Sequence, residues 1–561
     1  MSQYSGFHSR VGPLGRIRQN LFPGRLLPPA RPPAGIAAAS LCAAALSAVP
    51  LFYILLRASQ ASPEIWVRLW RTRIPELLVN TLGLAVTVTA VAIVSSLLLA
   101  YLTVRTDLPG RKVIHWLMAV PLAIPAYVGA FAYITVFGHG GMARHILGKV
   151  LGMPPGSVDL PTIYGFGGAV LVLSLFTFPY VYLLAAASLK AGGGELEEAS
   201  LSCGYNRLQT FFRVTLPLLR PATAAGGLLV FLYVLSDFGT VAVLRFPTFT
   251  SVIYLQLAGR YDRAAAAVLS AVLLFIALAV IYIEWRSRSG ARYYQAGGGH
   301  CPPSRAPLGR WRYPAVIFTW VVVLLSVAGP LGLLAYWSLS GLAGGALHKD
   351  FLQHGLNSLL TASLAATASI ALALPMAFLS VRHGGTMAKT LARLVYAGYA
   401  LPGVILALGM VLVVSSGLPF LHGTAAILIM AYIARFLPQG LQAEESALAR
   451  VNPCIEESAR LAGYSPWSAF LRVTLPLIRP GLISGWAMVF ISSLKELPAT
   501  LLLRPAGFDT LAVRVWIEAS EGFFERGAPA ALLLVIVSVL PVKLLFGRES
   551  GKGGAGDSDT V

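Results

Sequence analysis

The chain has 561 residues, 56 % of them hydrophobic and 12 % charged, with a mean hydropathy of +0.72; soluble domains carry about 25 % charge, so a soluble globular protein is excluded. The net charge of +20 does not mark a nucleic-acid partner, because Lys and Arg fall in short blocks between apolar runs, the pattern suited to an anionic inner membrane surface. Cys42, Cys203, Cys301 and Cys454 are scattered with no CxxC spacing and no clustered His, which argues against a disulfide framework and a metal site.

In chain order, the first long apolar run starts near Gly35, after Arg10, Arg16, Arg18, Arg25 and Arg31, with no small-residue cleavage site closely behind it. It reads as a retained first span with its basic tail in the cytoplasm. A hydrocarbon core about 30 Å thick takes roughly 20 helical residues. Apolar runs of that order lie near 35–56, 81–104, 115–137, 163–189, 224–244 and 264–284, and again near 314–338, 357–380, 394–415, 424–446, 482–503 and 528–546. The expected fold is therefore an all-α polytopic membrane protein with 12 transmembrane helices. Barrel strands are excluded because the runs are too long and do not alternate. With an even number of spans both termini are cytoplasmic. The inner segments 1–34, 105–114, 190–223, 285–313, 381–393, 447–481 and 547–561 carry more Lys and Arg than the outer loops, as this orientation requires. Arg57, Arg68, Arg71 and Arg73 crowd one outer loop against that trend, so part of 60–78 is expected to form an amphipathic segment on the outer surface.

The chain repeats itself. Asn80, Arg105 and Pro125 match Asn357, Arg382 and Pro402 at an offset of 277; Pro179, Asp237 and Arg245 match Pro438, Glu496 and Arg504 at an offset of 259. The change of offset falls where the first half carries a longer Gly- and Pro-rich segment, 138–162. Since six is even, two six-span repeats are parallel. The expected organisation is a cytoplasmic tail 1–34, a first repeat 35–284, a linker 285–313 containing Gly297-Gly298-Gly299 and Pro302-Pro303, a second repeat 314–546, and a disordered tail 547–561.

The most informative duplication is a polar cassette between the fourth and fifth spans of each repeat. One copy reads Glu197-Glu198-Ala199-Ser200-Leu201-Ser202-Cys203-Gly204-Tyr205 and continues to Arg213-Val214-Thr215-Leu216-Pro217; the other reads Glu456-Glu457-Ser458-Ala459-Arg460-Leu461-Ala462-Gly463-Tyr464 and continues to Arg472-Val473-Thr474-Leu475-Pro476. The spacing predicts a short helix, a bend at Gly204 or Gly463, a second helix capped by Asn206 or Ser465, and a return to the bilayer at Pro217 or Pro476. Interfacial loops often carry such charges without mechanism, but two copies with one spacing are expected if both meet equivalent surfaces of a two-fold partner.

These residues resemble the hallmark of permease subunits in binding-protein-dependent ATP-binding-cassette importers: Glu-Ala-Ala, three residues, Gly, nine residues, an aliphatic residue, one residue, Leu-Pro. The counterparts are Glu198-Ala199-Ser200 with Gly204 and Val214 to Pro217, and Glu457-Ser458-Ala459 with Gly463 and Val473 to Pro476; Ser200 and Ser458 depart from alanine. Asn80-Thr81-Leu82 and Asn357-Ser358-Leu359 also resemble the family. Leu235-Ser236-Asp237-Phe238-Gly239-Thr240 and Lys495-Glu496-Leu497-Pro498-Ala499-Thr500 look like the fused permeases of the iron(III) uptake branch.

The resemblance implies a type I importer-like permease whose cytoplasmic cassettes dock into two separately encoded ATPase subunits through Glu198, Ala199, Gly204 and Pro217, and through Glu457, Ala459, Gly463 and Pro476. A periplasmic binding protein would deliver substrate, best read as iron(III), at the outer face of an inner-membrane protein. ATP and magnesium would belong to the ATPase subunits, since this chain has no GxxxxGK[ST] loop. Related permeases carry polyamines, thiamine, sulfate or phosphonates, and a carrier driven by an ion gradient is the rival from another class.

Charged residues inside spans should face the bundle interior or a water path. Asp237, Lys495 and Glu496 fall in the outer halves of the fifth and eleventh spans, where they either line a translocation path, the carboxylates suiting a cation, or serve as structural ions; Arg435 is equally open. Pro125 and Pro402, and Pro179 and Pro438, are paired candidates for hinges.

Overall fold

The computed structural model describes residues 33–550 except 139–140, 155–160, 193, 289–304, 346 and 400. The N-terminal tail up to 32, most of the linker and the tail from 551 lie outside the described residues. The described chain is helical, with one isolated backbone bridge between Thr106 and Ala306. Nine of its helices are long and apolar enough to cross a membrane: Ala34–Ser59, Ile74–Arg105, Phe166–Ala191, Arg207–Ser236, Arg263–Ile283, Gly309–Ala343, Phe351–His383, Ala425–Ala449 and Pro466–Leu494. Two bent pairs, Arg111–Ala123 with Ala126–Leu151 and Gly385–Gly398 with Gly403–Gly417, raise the count among the described residues to eleven if each pair is one span. The twelfth expected stretch lies in the helix Phe524–Ser550, whose side chains are described to Val539.

The third and ninth expected spans are thus elbows, bent by 97° and 109°. Proline explains the site of each bend. Pro125 and Pro402 stand immediately before the second arm with extended ψ of 136° and 138°, and a residue preceding proline is pushed out of the α region. Pro179 and Pro438 instead sit inside unbroken helices. The helix hydrogen bond lost at Pro438 leaves the Ala434 carbonyl open, and the Ser47 hydroxyl donates to it at 3.3 Å.

The fifth and eleventh expected spans also differ from expectation. Neither continues to 244 or 503 as one helix. The fifth ends at Ser236 and resumes as the short helix Gly239–Val243; the eleventh ends at Leu494 and resumes as Pro498–Leu503. The charged residues expected inside these spans lie in the breaks.

The halves share their fastenings. The Asn80 amide donates to the Pro247 carbonyl at 3.1 Å, and the Asn357 amide to that of Asp509 at 3.0 Å. The next residue repeats the pattern: the Thr81 hydroxyl accepts from Phe249 N–H and the Ser358 hydroxyl from Leu511 N–H. Each bond ties the start of a long helix to the chain returning from a break.

The first helix of each half leans on the other half. Ala34–Ser59 packs against Phe351–Phe378, Gly385–Tyr399 and Gly403–Gly417, and its Ala43 and Ala44 enter the second half's apolar core. In return the Leu325 carbonyl of the second half's first span accepts from the Tyr133 hydroxyl at 2.6 Å. The crowded basic stretch forms the amphipathic helix Pro63–Thr72, with Leu69 buried, Arg68 3.7 Å from Asp262, and the Trp66 indole N–H on the Ala58 carbonyl.

Candidate functional site

Both cassettes fold alike. The helices Glu195–Ser202 and Pro453–Leu461 are followed by Gly204 and Gly463 at φ of 88° and 90°, a conformation that costs an L-residue about 1–2 kcal/mol. The Tyr205 N–H bonds back to the Ser200 carbonyl and the Gly204 N–H to that of Leu201; Tyr464 and Gly463 repeat this with Ala459 and Arg460. This is a Schellman stop, which satisfies the last carbonyls of the first helix while turning the chain. Asn206 and Ser465 then cap Arg207–Thr210 and Pro466–Ala469.

The second helix does not stop before the bilayer as expected. A five-residue π segment, Phe211–Thr215 or Phe470–Thr474, joins it without interruption to the following span. The N–H groups of Leu216 and Leu475 bond to Phe211 and Phe470, five residues back, just before Pro217 and Pro476, which have no N–H to offer. The cassette is therefore rigidly continuous with a membrane helix. The Arg213 guanidinium lies 5.1 Å from the Tyr205 ring centre, and Arg472 5.6 Å from that of Tyr464, bracing the turn against the helix in each copy.

Sequence reasoning missed the clamp behind each cassette. Arg105 lies 3.2 Å from Glu197, and Arg382 2.9 Å from Glu456. The arginines end long helices; the glutamates precede the hallmark Glu198 and Glu457. A signal was present, because both members of each pair recur at the two offsets. With one carboxylate of each doublet turned inward, the neighbouring Glu198 and Glu457 lie exposed, as do Ala199, Gly204 and Gly463. Ala459 is buried, Pro217 half-buried and Pro476 exposed.

One contact distinguishes the copies. The Ser200 hydroxyl meets the Thr210 hydroxyl at 3.0 Å, and the equivalent positions hold Ala459 and Ala469, both buried. The departure of Ser200 from alanine thus has a partner of its own. The first cassette is also strapped by the chain leaving the linker: Ala306 pairs with Thr106, Leu308 N–H donates to Asp107 and the Arg207 guanidinium to the Pro307 carbonyl.

The second site is a cavity of about 210 Å³ where the breaks and the first elbow meet, lined among others by Leu122, Pro125, Tyr127, Asp237, Arg435, Lys495 and Glu496. Asp237 accepts from the Thr240 hydroxyl and from the N–H groups of Thr240 and Val241 at 3.0–3.2 Å, so it caps the short helix after the break. Glu496 does the same for Ala499 and takes the Arg435 guanidinium at 3.0 Å. A Cβ on Gly403 would overlap both the guanidinium and the carboxylate, so the pair keeps this geometry only beside a residue without a side chain. Adjacent Lys495 takes no part in that pair; its ammonium donates to the Leu122 carbonyl at 2.6 Å, across the two halves. Of the proline candidates, Pro125 alone lines this cavity, while Pro402 stands beside Gly403 at the other elbow.

A family model described as "Binding-protein-dependent transport system inner membrane component" matches the chain twice, over residues 92–287 and 369–547, once in each half. The chain is 31 % identical over 522 residues to the Fe(3+)-transport system permease protein FbpB 2 of Haemophilus influenzae, covering 92 % of this chain and 99 % of that protein. It is 32 % identical over 191 residues to a probable sulfate transport system permease protein of Prototheca wickerhamii, covering 33 % of this chain and 72 % of the relative. It is 30 % identical over 251 residues to a putative 2-aminoethylphosphonate transport system permease protein of Salmonella choleraesuis, covering 42 % of this chain and 94 % of the relative.

Proposed function

We propose that this chain, which belongs to the family of binding-protein-dependent transport system inner membrane components, moves iron(III) from a periplasmic binding protein into the cytoplasm. Membership makes it a multi-pass membrane permease of an ATP-driven importer, a transport subunit and not an enzyme, and sets the ion-gradient carrier aside. One observation supports the choice of iron: likeness to an Fe(3+)-transport permease runs through both halves, over 92 % of this chain, whereas the sulfate and aminoethylphosphonate permeases, shorter chains covered to 72 % and 94 % of their own length at similar identity, match 33 % and 42 % of it.

In this reading both termini are cytoplasmic, the repeats span 35–284 and 314–546, and 285–313 links them. Two ATPase subunits dock on the cassettes through Glu198, Ala199 and Gly204 and through Glu457 and Gly463, with Ala459 buried behind that face. Their closure passes through the helices continuous with Pro217 and Pro476 toward the breaks at Asp237, Lys495 and Glu496. Support comes from the unbroken path out of each cassette, since a rigid helix transmits a displacement that a jointed loop would absorb. Pro125 and Pro402 are the hinges best placed to respond; Pro179 and Pro438 lie inside unbroken helices and would act as fixed features of them.

The test is reconstitution of the chain with its ATPase and binding protein in proteoliposomes, following radiolabelled iron in competition with spermidine, thiamine, sulfate and 2-aminoethylphosphonate. ATP-driven iron uptake that none of the competitors displaces is the expected result. Uptake of a competitor in place of iron would overturn the substrate; import abolished by an uncoupler while ATP stays high would overturn the energy source.

A further inference from the structure

The hydrogen-bonding groups around the cavity between the halves are unevenly committed. Both carboxylates are engaged by the protein: Asp237 by three donors of the turn that follows it, Glu496 by Arg435 and the Ala499 N–H. The donors are not. Among the described residues Lys495 has one acceptor, the Leu122 carbonyl, and no carboxylate within ion-pair distance. The Tyr127 hydroxyl lines the same cavity, is 6 % exposed as a residue, and has no hydrogen-bond partner among the described residues. A half-buried ammonium held by one neutral carbonyl, in a cavity that also holds an unsatisfied phenol, makes a site short of acceptors. A bare cation would add positive charge beside Lys495 and Arg435, and of the two carboxylates one already faces the Arg435 guanidinium and the other three donors of its own turn.

We infer that the cavity receives an oxyanion, free or as part of the ligand shell of a metal ion, and that Lys495 is a latch which this oxyanion releases by replacing the Leu122 carbonyl. This rests on the importer reading above. The ammonium's bond to the carbonyl is already charge-assisted, and an anionic acceptor adds direct Coulomb attraction between two unit charges, so the exchange is downhill once the ligand has shed its water. The consequence is mechanical. Leu122 belongs to the turn Val120–Ala123 immediately before the elbow at Pro125, and Lys495 closes the helix Leu475–Leu494 that continues from the second cassette. The bond therefore ties the elbow of one half to the coupled helix of the other. A ligand shifts a conformational equilibrium only by its preference for one state; here the preference is for the state in which Lys495 faces the ligand. The cavity volume, about 210 Å³ against the 10–15 Å³ that one water needs, accommodates a small oxyanion or a metal ion with such a ligand.

The experiment compares wild type, Lys495→Met and Lys495→Arg. On the purified permease, thermal unfolding is followed in chloride, then in phosphate or sulfate. The expected result is an added rise in midpoint for wild type and Lys495→Arg that Lys495→Met lacks; because these salts stabilise proteins generally, the difference between variants is the measurement. An equal rise in all three overturns the site. In proteoliposomes with ATPase and binding protein, iron is offered with phosphate or with a non-coordinating anion, and phosphate and sulfate are offered alone. Lys495→Met is expected to lose about ten-fold in oxyanion-dependent import, the equivalent of one charge-assisted contact, and to hydrolyse ATP faster without substrate. Import of phosphate or sulfate alone makes the oxyanion the cargo; import only with iron makes it a metal ligand. Import of iron equally well without a coordinating anion, unchanged in Lys495→Met, overturns the proposal. Anion-specific stabilisation without import by wild type would leave the site standing and strike the importer reading instead.

Discussion

Arg382 grips Glu456 through two nitrogens, at 3.2 and 2.9 Å, while a terminal nitrogen also reaches the Val451 carbonyl at 3.0 Å. The contact fixes the cassette helix Pro453–Leu461 to the end of a membrane span, and Arg105 with Glu197 does so in the other half. Hydrogen bonds to charged groups contribute about 1.5–3 kcal/mol. Arg382→Ala should accordingly speed hydrogen–deuterium exchange throughout 453–461 while leaving the membrane spans protected. Reversing both charges, Arg382→Glu with Glu456→Arg, should restore part of the protection, with a coupling in the range of about 0.5–3 kcal/mol.

The hydroxyl pair Ser200–Thr210 and its alanine counterpart in the second cassette set up a cycle that the molecule has already half performed. Ser200→Ala alone strands the buried Thr210 hydroxyl and should cost about 1–3 kcal/mol. Ser200→Ala with Thr210→Ala should be nearly neutral, since it recreates the buried pair Ala459 and Ala469 of the second cassette. Thermal unfolding of the three variants checks the order.

Glu198 and Glu457 are exposed while their neighbours Glu197 and Glu456 are clamped. Replacing the exposed pair by alanine should move the unfolding midpoint little, since surface changes cost within about 0.5 kcal/mol. The same variant should lose ATPase co-purification and ATP-driven uptake, about ten-fold for each 1.4 kcal/mol of docking lost. Retention of both activities would show that the cassettes do not dock the ATPase.

Two glycines should fail in different ways. Gly463→Ala strains a residue at φ 90° with open space around it, so it should cost about 1–2 kcal/mol and yield folded protein with weakened coupling. Gly403→Ala drives a methyl group into the Arg435–Glu496 pair, so both side-chain ends must shift and the pair is weakened; the loss of stability should exceed that of Gly463→Ala. Fluorescence-detected size exclusion after stepwise heating of the two variants checks the order.

Much of this was legible because it depends on local rules. The glycine turns, the Asn206 and Ser465 caps and the amphipathic helix 63–72 follow from residue type at fixed spacing. The elbows were only half legible, since proline marks where a span gives way but the angle depends on what packs beside it. Hydropathy could not reveal the breaks at Asp237 and Lys495–Glu496, because Leu, Val and Phe on both sides read as one span; the charges were the clue. Their role was hidden for another reason. Whether a carboxylate caps a helix, pairs with Arg435 or meets a ligand is decided by residues far along the chain, and no period in the sequence encodes that.

The crossing of the first helix into the opposite half governs how the molecule can be made. Ser47 and the carbonyl it reaches lie 387 positions apart. During synthesis the opening helix enters the bilayer long before the helices that cover it exist, so the first half cannot finish folding when its own last residue emerges. Completion waits for the second half. Joining both halves in one polypeptide keeps the late partner tethered to the early one, in equal number and at high local concentration. A chain cut within the linker would have to regain by chance encounter what covalent continuity supplies.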